Sequence, residues 1–402
     1  MTYDFSSVID RRGKDSIAVE PTFLNLPPLK DGFDIIPMWV ADMNFAVVPT
    51  VQEEIIRRAQ HPCFGYFSPR EEYLQAIIDW QTRRHGIKGL EKKHIGYENG
   101  VLGGVVSALN ILCSRGDKVL LHSPTYIGFT SVLENNGYHA VHSPLVKDEE
   151  GVWRMDFEDM ERRIQKEHIH AMILCSPHNP CGRVWERWEL EKVYELCEKY
   201  DIYVVDDEIW SDLIRPGVPY ISPLTLGEAA RRRTMGFFAP SKTFSLAGLV
   251  GSYHIVFDDR LRERLEKESS LNHYNNMNVL SMYGLIGAYK PEGYVWVDEL
   301  NEVIKGNVDF AVDYIRTHFE GVEVCKPQGT YMLFIDCGKW LEKHGMTMDE
   351  LMQAGFEVGV LWQDGRSFFH PTSIRLNLAL PLSRVQEAFG RLDRYVFNSL
   401  RQ

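Results

Sequence analysis

The chain has 402 residues, a length at which we expect one large domain and a smaller one, and its 44% hydrophobic and 25% charged residues are ordinary for a globular protein. Its net charge of -12 argues against a nucleic-acid or anionic-membrane partner, because both favour clustered lysine and arginine. The seven cysteines form no Cys-x-x-Cys pair, so the sequence indicates neither a disulfide framework nor a metal site. It also shows no signal-peptide pattern and no apolar stretch long enough to span a bilayer, which predicts a cytoplasmic enzyme.

Residues 1–45 are expected to form an N-terminal segment that belongs to the small domain. Within it, residues 32–45 are rich in Pro, Trp and Met and lack a clean period, so we expect them to cross between the two lobes. Residues 46–290 are expected to form the large domain and residues 291–402 the small C-terminal domain.

From about residue 94 to residue 256, short apolar runs alternate with amphipathic segments. This alternation is typical of an α/β fold, in which a mostly parallel sheet is covered by helices on both faces. The predicted strands are His94–Glu98, Lys118–His122, His139–Ser143, Ala171–Cys175, Ile202–Asp206, Thr234–Phe238 and Val250–Phe257. Between them, apolar residues recur every three or four positions in Val101–Cys113 and Glu186–Tyr200, which predicts helices.

After about residue 290 the pattern changes. It predicts a long helix over Glu292–Phe319, a strand near Thr330–Asp336 and a closing helix over Ser383–Asn398. This order indicates a second, smaller α+β lobe.

Three polar residues follow apolar runs of the predicted sheet. Asn179 comes after Ala171–Cys175, Asp207 comes just after the predicted strand Ile202–Asp206, and Lys242 follows Thr234–Phe238. Parallel sheets bind ligands outside the carboxyl ends of their strands, so these side chains are expected to converge on one site. Taken singly, each has an ordinary alternative: a turn residue for Asn179, a helix cap for Asp207 and a solvated loop lysine for Lys242.

Longer motifs surround these residues. They are Met38-Trp39-Val40-Ala41-Asp42-Met43, Phe64-Gly65-Tyr66, Ser176-Pro177-His178-Asn179-Pro180-Cys181-Gly182-Arg183, Asp207-Glu208-Ile209, Pro240-Ser241-Lys242-Thr243-Phe244 and Arg375-Leu376-Asn377. In this order they resemble the pyridoxal-phosphate (PLP) enzymes of the class I/II aminotransferase superfamily, and within it the carbon-sulfur beta-lyase branch of the cystathionine beta-lyase type. The resemblance covers nearly the whole chain and implies a fold type I structure whose large domain binds PLP.

The resemblance implies a role for each residue near the cofactor ring. Lys242 would form a Schiff base with PLP and then act as the base that removes the substrate's alpha proton. Asp207 would pair with the pyridine nitrogen, and Asn179 would donate a hydrogen bond to the ring oxygen. Tyr126 would stack on the ring, although an isolated tyrosine after a strand is more often part of a core.

Phosphate and substrate contacts are implied in the same way. The helix that opens at Val101 and Leu102 offers backbone N–H groups at the positive end of its dipole, and Ser241 would add a hydroxyl. Tyr66 matches a tyrosine that reaches the phosphate of the partner subunit, which implies a homodimer with shared active sites. Arg375 would bind the substrate's alpha-carboxylate as a two-pronged fork, assisted by Asn179; a surface salt bridge is the structural alternative.

Five positions depart from the pattern of the relatives. Trp210 stands where the lyase branch usually has histidine, and an indole can neither accept a hydrogen bond nor titrate. Ala239 replaces a hydroxyl that commonly binds phosphate, Ser245 replaces asparagine and Asn44 replaces aspartate. Val250 occupies the place of an arginine that many aminotransferases use, and its absence is typical of the lyase branch.

The chemistry of the residues leaves the reaction open, because removal of the alpha proton can lead to elimination, transamination or racemisation. A thiol with a pKa near ~8.5 leaves readily as thiolate, which suits a cystathionine or cysteine-conjugate substrate. The branch resemblance favours beta-elimination to thiol, pyruvate and ammonia, with an aminotransferase or a racemase as the alternatives. A regulatory or binding module is less consistent with an intact set of Lys242, Asp207 and Asn179.

Overall fold

The structure, a computed structural model, describes residues 1–22, 26–271 and 275–398. Within these residues the strands are β1 Ile36–Pro37, β2 Ile95–Glu98, β3 Lys118–Ser123, β4 His139–Pro144, β5 Val146–Lys147, β6 Trp153–Arg154, β7 Ala171–Cys175, β8 Tyr203–Asp207, β9 Thr234–Phe238, β10 Ser252–Ile255, β11 Glu323–Val324, β12 Met332–Asp336, β13 Val360–Leu361, β14 Gln363–Asp364 and β15 Ser373–Asn377.

The α-helices of the same residues are α1 Pro49–Ala59, α2 Glu71–His85, α3 Val101–Leu112, α4 Ile127–Asn135, α5 Phe157–Glu167, α6 Arg187–Lys199, α7 Glu228–Arg231, α8 Pro240–Thr243, α9 Asp259–Leu271, α10 Val279–Ala288, α11 Pro291–His318, α12 Gly338–His344, α13 Met348–Glu357 and α14 Leu382–Leu392. Short 3₁₀ helices lie at Lys92–His94, Pro223–Thr225, Ala247–Leu249 and Gly365–Phe368, and a π-helical turn lies at Asp393–Phe397. In the described part of the chain, no helix is both long and apolar enough to cross a bilayer.

The large sheet of the described residues has seven strands in the order β2-β10-β9-β8-β7-β3-β4. Neighbouring strands from β9 to β4 pair in parallel, whereas β10 pairs antiparallel with both β9 and β2. Every residue of β7 and β9 is buried, as expected for strands that are covered on both faces. The predicted α/β class with a large, mostly parallel mixed sheet is therefore confirmed.

Two strand boundaries differ from the prediction in ways that matter for the site. Strand β8 runs one residue further than expected, so Asp207 is its last residue and remains in the ladder opposite Cys175 and Phe237. Strand β10 begins at Ser252 and not at Val250. Val250 has a φ of 49°, in the left-handed region that a β-branched residue rarely adopts, and it ends the preceding 3₁₀ helix.

The second sheet is antiparallel, with the order β11-β12-β15-β14 in the described residues. Strand β1 pairs in parallel with β13, so the N-terminal segment contacts the C-terminal part of the chain. Helix α11 contacts both the N-terminal segment and the end of α8: the ring of Trp296 lies 5.5 Å from that of Phe5 and 5.4 Å from that of Phe244. The domain boundaries at 45/46 and 290/291 stay predictions.

Candidate active site

Lys242 lies on α8, the single helical turn that follows β9 directly. Pro240 opens this turn, where its fixed φ suits a first helical position. The Lys242 Nζ donates a hydrogen bond to the Ala41 carbonyl oxygen at 3.0 Å. Burial and, to a smaller extent, the positive charge of Arg375 together lower the pKa of Lys242 to about 8, against the opposing effect of Asp42 and Asp207. An amine with this pKa is partly neutral near pH 7, as a nucleophile or base must be.

Asp207 is buried at the carboxyl end of β8, which lies beside β9 in the sheet. Burial raises the pKa of Asp207 to about 7, although the Ile209 backbone N–H donates to its Oδ1 at 3.0 Å and the charge of Lys242 favours the ionised form. A carboxyl group in this environment is stabilised by any further positive charge that enters the site.

Arg375 reaches the same region from β15 of the second sheet, and its side chain is buried. Its Nη1 donates to Asn179 Oδ1 at 3.0 Å, and its Nη2 donates to the Trp39 carbonyl at 3.1 Å and to Gln363 Oε1. The guanidinium also lies 4.7 Å from the centre of the Phe368 ring.

The Arg375 guanidinium is incompletely satisfied by the protein. Within the described residues its buried Nε has no hydrogen-bond partner, and no carboxylate forms an ion pair with the guanidinium. Burial lowers the pKa of Arg375 to about 10. A buried cation without an anionic partner is costly, so this arrangement favours the binding of an anion.

A cavity of about 210 Å³ lies at the carboxyl ends of β7, β8 and β9. Its walls include seven of the residues singled out in the sequence, namely Val101, Leu102, Tyr126, Asn179, Asp207, Ser241 and Lys242. Arg375 joins this group through Asn179, although it does not line the cavity itself.

Glycines shape two walls of this cavity. Gly100 has a φ of 81° and precedes α3, so the chain turns sharply into the helix, whose first residues, Val101 and Leu102, line the cavity. A methyl group at Gly128 would collide with the ring of Tyr126. Absence of a side chain at Gly128 therefore lets Tyr126 hold its place on the cavity wall.

Tyr66 is the site residue that the structure does not bring to Lys242. It is fully exposed and lies with Phe64, Phe67 and Tyr97 around a different cavity of about 530 Å³. Its implied contact with the phosphate of a partner subunit stays a prediction.

Four of the five positions that depart from the relatives lie around the same site. Trp210 is buried, packs edge-on against Tyr331 at 4.8 Å, and its ring centre lies 5.9 Å from Lys242 Nζ. Ala239 and Val250 line the cavity. Ser245 donates to Asp42 Oδ1 at 2.8 Å, next to the Ala41 carbonyl that holds Lys242.

Sequence reasoning missed several residues that complete the site. The Ala41 carbonyl binds Lys242, the Trp39 carbonyl and Gln363 bind Arg375, and Phe368 covers the guanidinium face. Trp39 and Ala41 lie in a motif that carries the resemblance, so their presence was visible in the sequence. Their contacts are made by backbone oxygens, which no residue type reveals.

The chemistry available here combines five features. An amine that can be neutral stands near a buried carboxyl group; a phenol ring and a helix N-terminus line the cavity; and a buried guanidinium lacks an anion. The site therefore suits a flat, phosphorylated ring with a carbonyl group, together with a carboxylate substrate.

Comparisons with known proteins agree with this arrangement. The sequence model of the family described as "Aminotransferase class I and II" matches residues 34–392. The chain is 32% identical to the cystathionine beta-lyase PatB of Bacillus subtilis, over 89% of this chain and 92% of that protein. A PLP-bound putative aminotransferase from Clostridium difficile superposes with a TM-score of 0.89 at 31% identity, covering 98% and 100% of the two chains. A PLP-bound C-S lyase from Staphylococcus hominis superposes with a TM-score of 0.88 at 27% identity, covering 98% of both chains.

Proposed function

The chain belongs to the class I and II aminotransferase family, and from that membership we propose that it is a PLP-dependent carbon-sulfur beta-lyase. Its substrate is cystathionine or a related L-cysteine conjugate, which it converts to a thiol, pyruvate and ammonia. The proposal draws on relatives named cystathionine beta-lyase and C-S lyase. The observation that carries it is the Lys242 amine, whose pKa is lowered to about 8 in a cavity that it shares with Asp207.

The residues of the cavity fit pyridoxal 5'-phosphate. The N–H groups at the start of α3, with the Ser241 hydroxyl, would hold its phosphate. Tyr126 would lie against its ring, Asn179 would donate to its ring oxygen, and Asp207 would pair with its pyridine nitrogen. Bound in this way, the cofactor supplies an electron sink for negative charge at the substrate's alpha carbon.

Lys242 performs the proton transfer in this proposal. As a neutral amine it accepts the alpha proton, and the Ala41 carbonyl fixes the direction of its Nζ. Arg375 binds the alpha-carboxylate through the N–H groups that the protein leaves unpaired, which orients the alpha C–H bond.

The bond that breaks next is the one between the beta carbon and sulfur. The thiolate leaves with the bonding electron pair, and a thiol pKa near ~8.5 makes it a good leaving group near neutral pH. The remaining three-carbon fragment is released and hydrolysed to pyruvate and ammonia. No keto-acid acceptor is consumed, which separates this reaction from transamination.

A substrate panel assayed for three products tests the proposal. Purified protein with cystathionine is expected to release pyruvate when no keto acid is added. The aminotransferase alternative, favoured by the name of the C. difficile relative, requires that a keto-acid acceptor be supplied and converted. Racemase activity would appear as D-alanine formed from L-alanine. Absence of pyruvate in the first assay would refute the lyase.

A homodimer with shared sites is part of the proposal. Its support is the full exposure of Tyr66, which lines a surface cavity together with the exposed Phe64. Tyr66 of one subunit would then reach the phosphate held by the other. A cytoplasmic location stays a prediction.

A further inference from the structure

Asp212 is a buried carboxylate close to the site that the chemistry described above does not use. It lies five residues beyond Asp207, in the turn that follows β8, and is 5% exposed. Its Oδ2 accepts a hydrogen bond from the Thr243 hydroxyl at 2.9 Å. Its Oδ1 accepts from Trp80 Nε1 at 3.0 Å and from His85 Nε2 at 2.9 Å.

This arrangement needs a carboxylate in particular. Arg84 Nε forms an ion pair with the same carboxylate, at 3.2 Å from Oδ1. Burial alone would raise the pKa of Asp212, but the hydrogen bond and charge of His85 and the charge of Arg84 hold that pKa below its usual range. An ionised carboxylate only accepts hydrogen bonds, whereas an asparagine would turn its NH₂ group toward donors on one side.

Thr243 connects Asp212 to the catalytic lysine. It is fully buried and is the residue directly after Lys242 on α8, a helix of only four residues. So short a turn has few hydrogen bonds of its own; one runs from the Phe244 N–H to the Pro240 carbonyl at 2.8 Å. The direction of this turn therefore depends on the contacts that its side chains and that of the next residue make with the rest of the protein, which we call anchors.

Two such anchors are present. The Thr243 hydroxyl binds Asp212, and the Phe244 ring packs against Trp80 and Trp296 at 5.7 and 5.4 Å. Trp80 also donates to Asp212, so it contacts the partner of Thr243 as well as the Phe244 ring.

We propose that Asp212 is a positioning residue that, through Thr243, fixes the turn carrying Lys242 and so keeps its amine beside the Ala41 carbonyl. The proposal rests on the function given above, because the amine is placed for work on a bound cofactor and substrate. It adds to that function a side chain outside the cavity that holds Lys242 in position.

Asp212 affects the position of the Lys242 amine and does not act on it directly through its charge. The charged groups that act on Lys242 are Arg375, Asp42 and Asp207, and Asp212 is not among them. Removal of the Thr243 hydroxyl leaves all three of these charges in place, so it isolates the positioning effect.

The test compares Thr243→Val, which keeps the shape of the side chain and removes the hydroxyl, with Thr243→Ser, which keeps the hydroxyl. Thr234→Val is the matched control. The Thr234 hydroxyl is equally buried, donates to the Ala230 carbonyl at 2.8 Å and contacts the Tyr194 hydroxyl at 2.6 Å, at the opposite end of β9 from Lys242. Each holoenzyme is measured for kcat, KM, melting temperature and the pH midpoint of its cofactor absorption.

We expect Thr243→Val to lower kcat roughly ten- to a hundredfold, the scale of a small misplacement of a reacting group, while KM changes less than about threefold. The pH midpoint of the absorption should shift, and Thr243→Ser should restore both properties. Thr234→Val should lower the melting temperature and leave kcat and the pH midpoint at wild-type values.

If Thr243→Val matched Thr234→Val in every measurement, the hydrogen bond would serve stability alone and the proposal would be overturned. If Thr243→Val proved too unstable to purify, Asp212→Asn takes its place. A shift of kcat and pH midpoint in that variant supports the proposal, and wild-type values in both overturn it. A wild-type protein without cofactor absorption would instead refute the function itself.

Discussion

Replacement of Arg375 by lysine is expected to weaken the capture of substrate while the charge is retained. Three of the five N–H groups of this guanidinium already donate to Asn179, Trp39 and Gln363, which leaves two for a ligand carboxylate. A lysine at this position offers a single ammonium group in place of the fork, so about one charge-assisted hydrogen bond to the substrate is lost.

A hydrogen bond to a charged group contributes about 1.5 to 3 kcal/mol, and each ~1.4 kcal/mol changes an equilibrium constant tenfold. Arg375→Lys should therefore lower kcat/KM for cystathionine by roughly ten- to a hundredfold, chiefly through a higher KM. The assay is the initial rate of pyruvate release as a function of cystathionine concentration.

Arg366→Lys is the matched control. Arg366 lies in the 3₁₀ helix between β14 and β15, is exposed, and its guanidinium binds Asp364 and Asp349. We expect this variant to retain the wild-type kcat/KM. If Arg375→Lys changed kcat/KM less than about twofold, the assignment of Arg375 to the substrate carboxylate would be wrong.

Three further predictions concern the cofactor and the dimer. Capture of added PLP by the cofactor-free protein requires neutral Lys242, so the capture rate should rise with pH through about 8 and then level off. A rate that begins to rise only near pH 10.5, the ordinary pKa of lysine, would contradict the lowered pKa. Gly128→Ala should push the Tyr126 ring out of its place and weaken cofactor affinity roughly tenfold, as measured by titration of the absorption, whereas wild-type affinity would show that the ring is not a contact. Mixed dimers of Lys242→Ala and Tyr66→Phe subunits should recover activity that neither variant shows alone, because one of their two sites combines an unchanged Lys242 with an unchanged Tyr66. Mixtures no more active than the sum of the two variants would argue against shared sites.

The strand ends of the site could be predicted because burial on both faces leaves a clear mark in a sequence. Strand β7 is entirely apolar, and β8 and β9 each contain an apolar run; a polar residue of the site lies at or shortly after the end of each strand. These strands are neighbours in the sheet and parallel, so Asn179, Asp207 and Lys242 come to one edge.

Other features could not be predicted from the pattern of residues. Strand β10 is as buried as its neighbours but runs in the opposite direction, and apolar periodicity carries no information on direction. Valine is a residue type that favours strands, yet the backbone of Val250 adopts a left-handed conformation that only the fold imposes. The carbonyls of Trp39 and Ala41 act through backbone atoms, and their distance in sequence from Arg375 and Lys242 hides the contacts.

Asp212 illustrates a different limit. An aspartate that follows a strand end is an ordinary surface or capping residue in a sequence, and its three hydrogen-bond donors and the Arg84 guanidinium come from two separate parts of the chain, α2 and α8. Only the folded structure shows that these donors meet on one carboxylate beside the turn of Lys242.

The most direct test of the central claim, that Lys242 is the residue on which the cofactor chemistry depends, is to locate the cofactor on the chain. The holoenzyme is reduced with borohydride, digested with a protease and analysed by mass spectrometry. The account predicts that the mass of the reduced cofactor is found on one peptide, at Lys242, and is missing from the Lys242→Ala variant. Cofactor attached to another lysine of the wild-type protein, or to none, would contradict it.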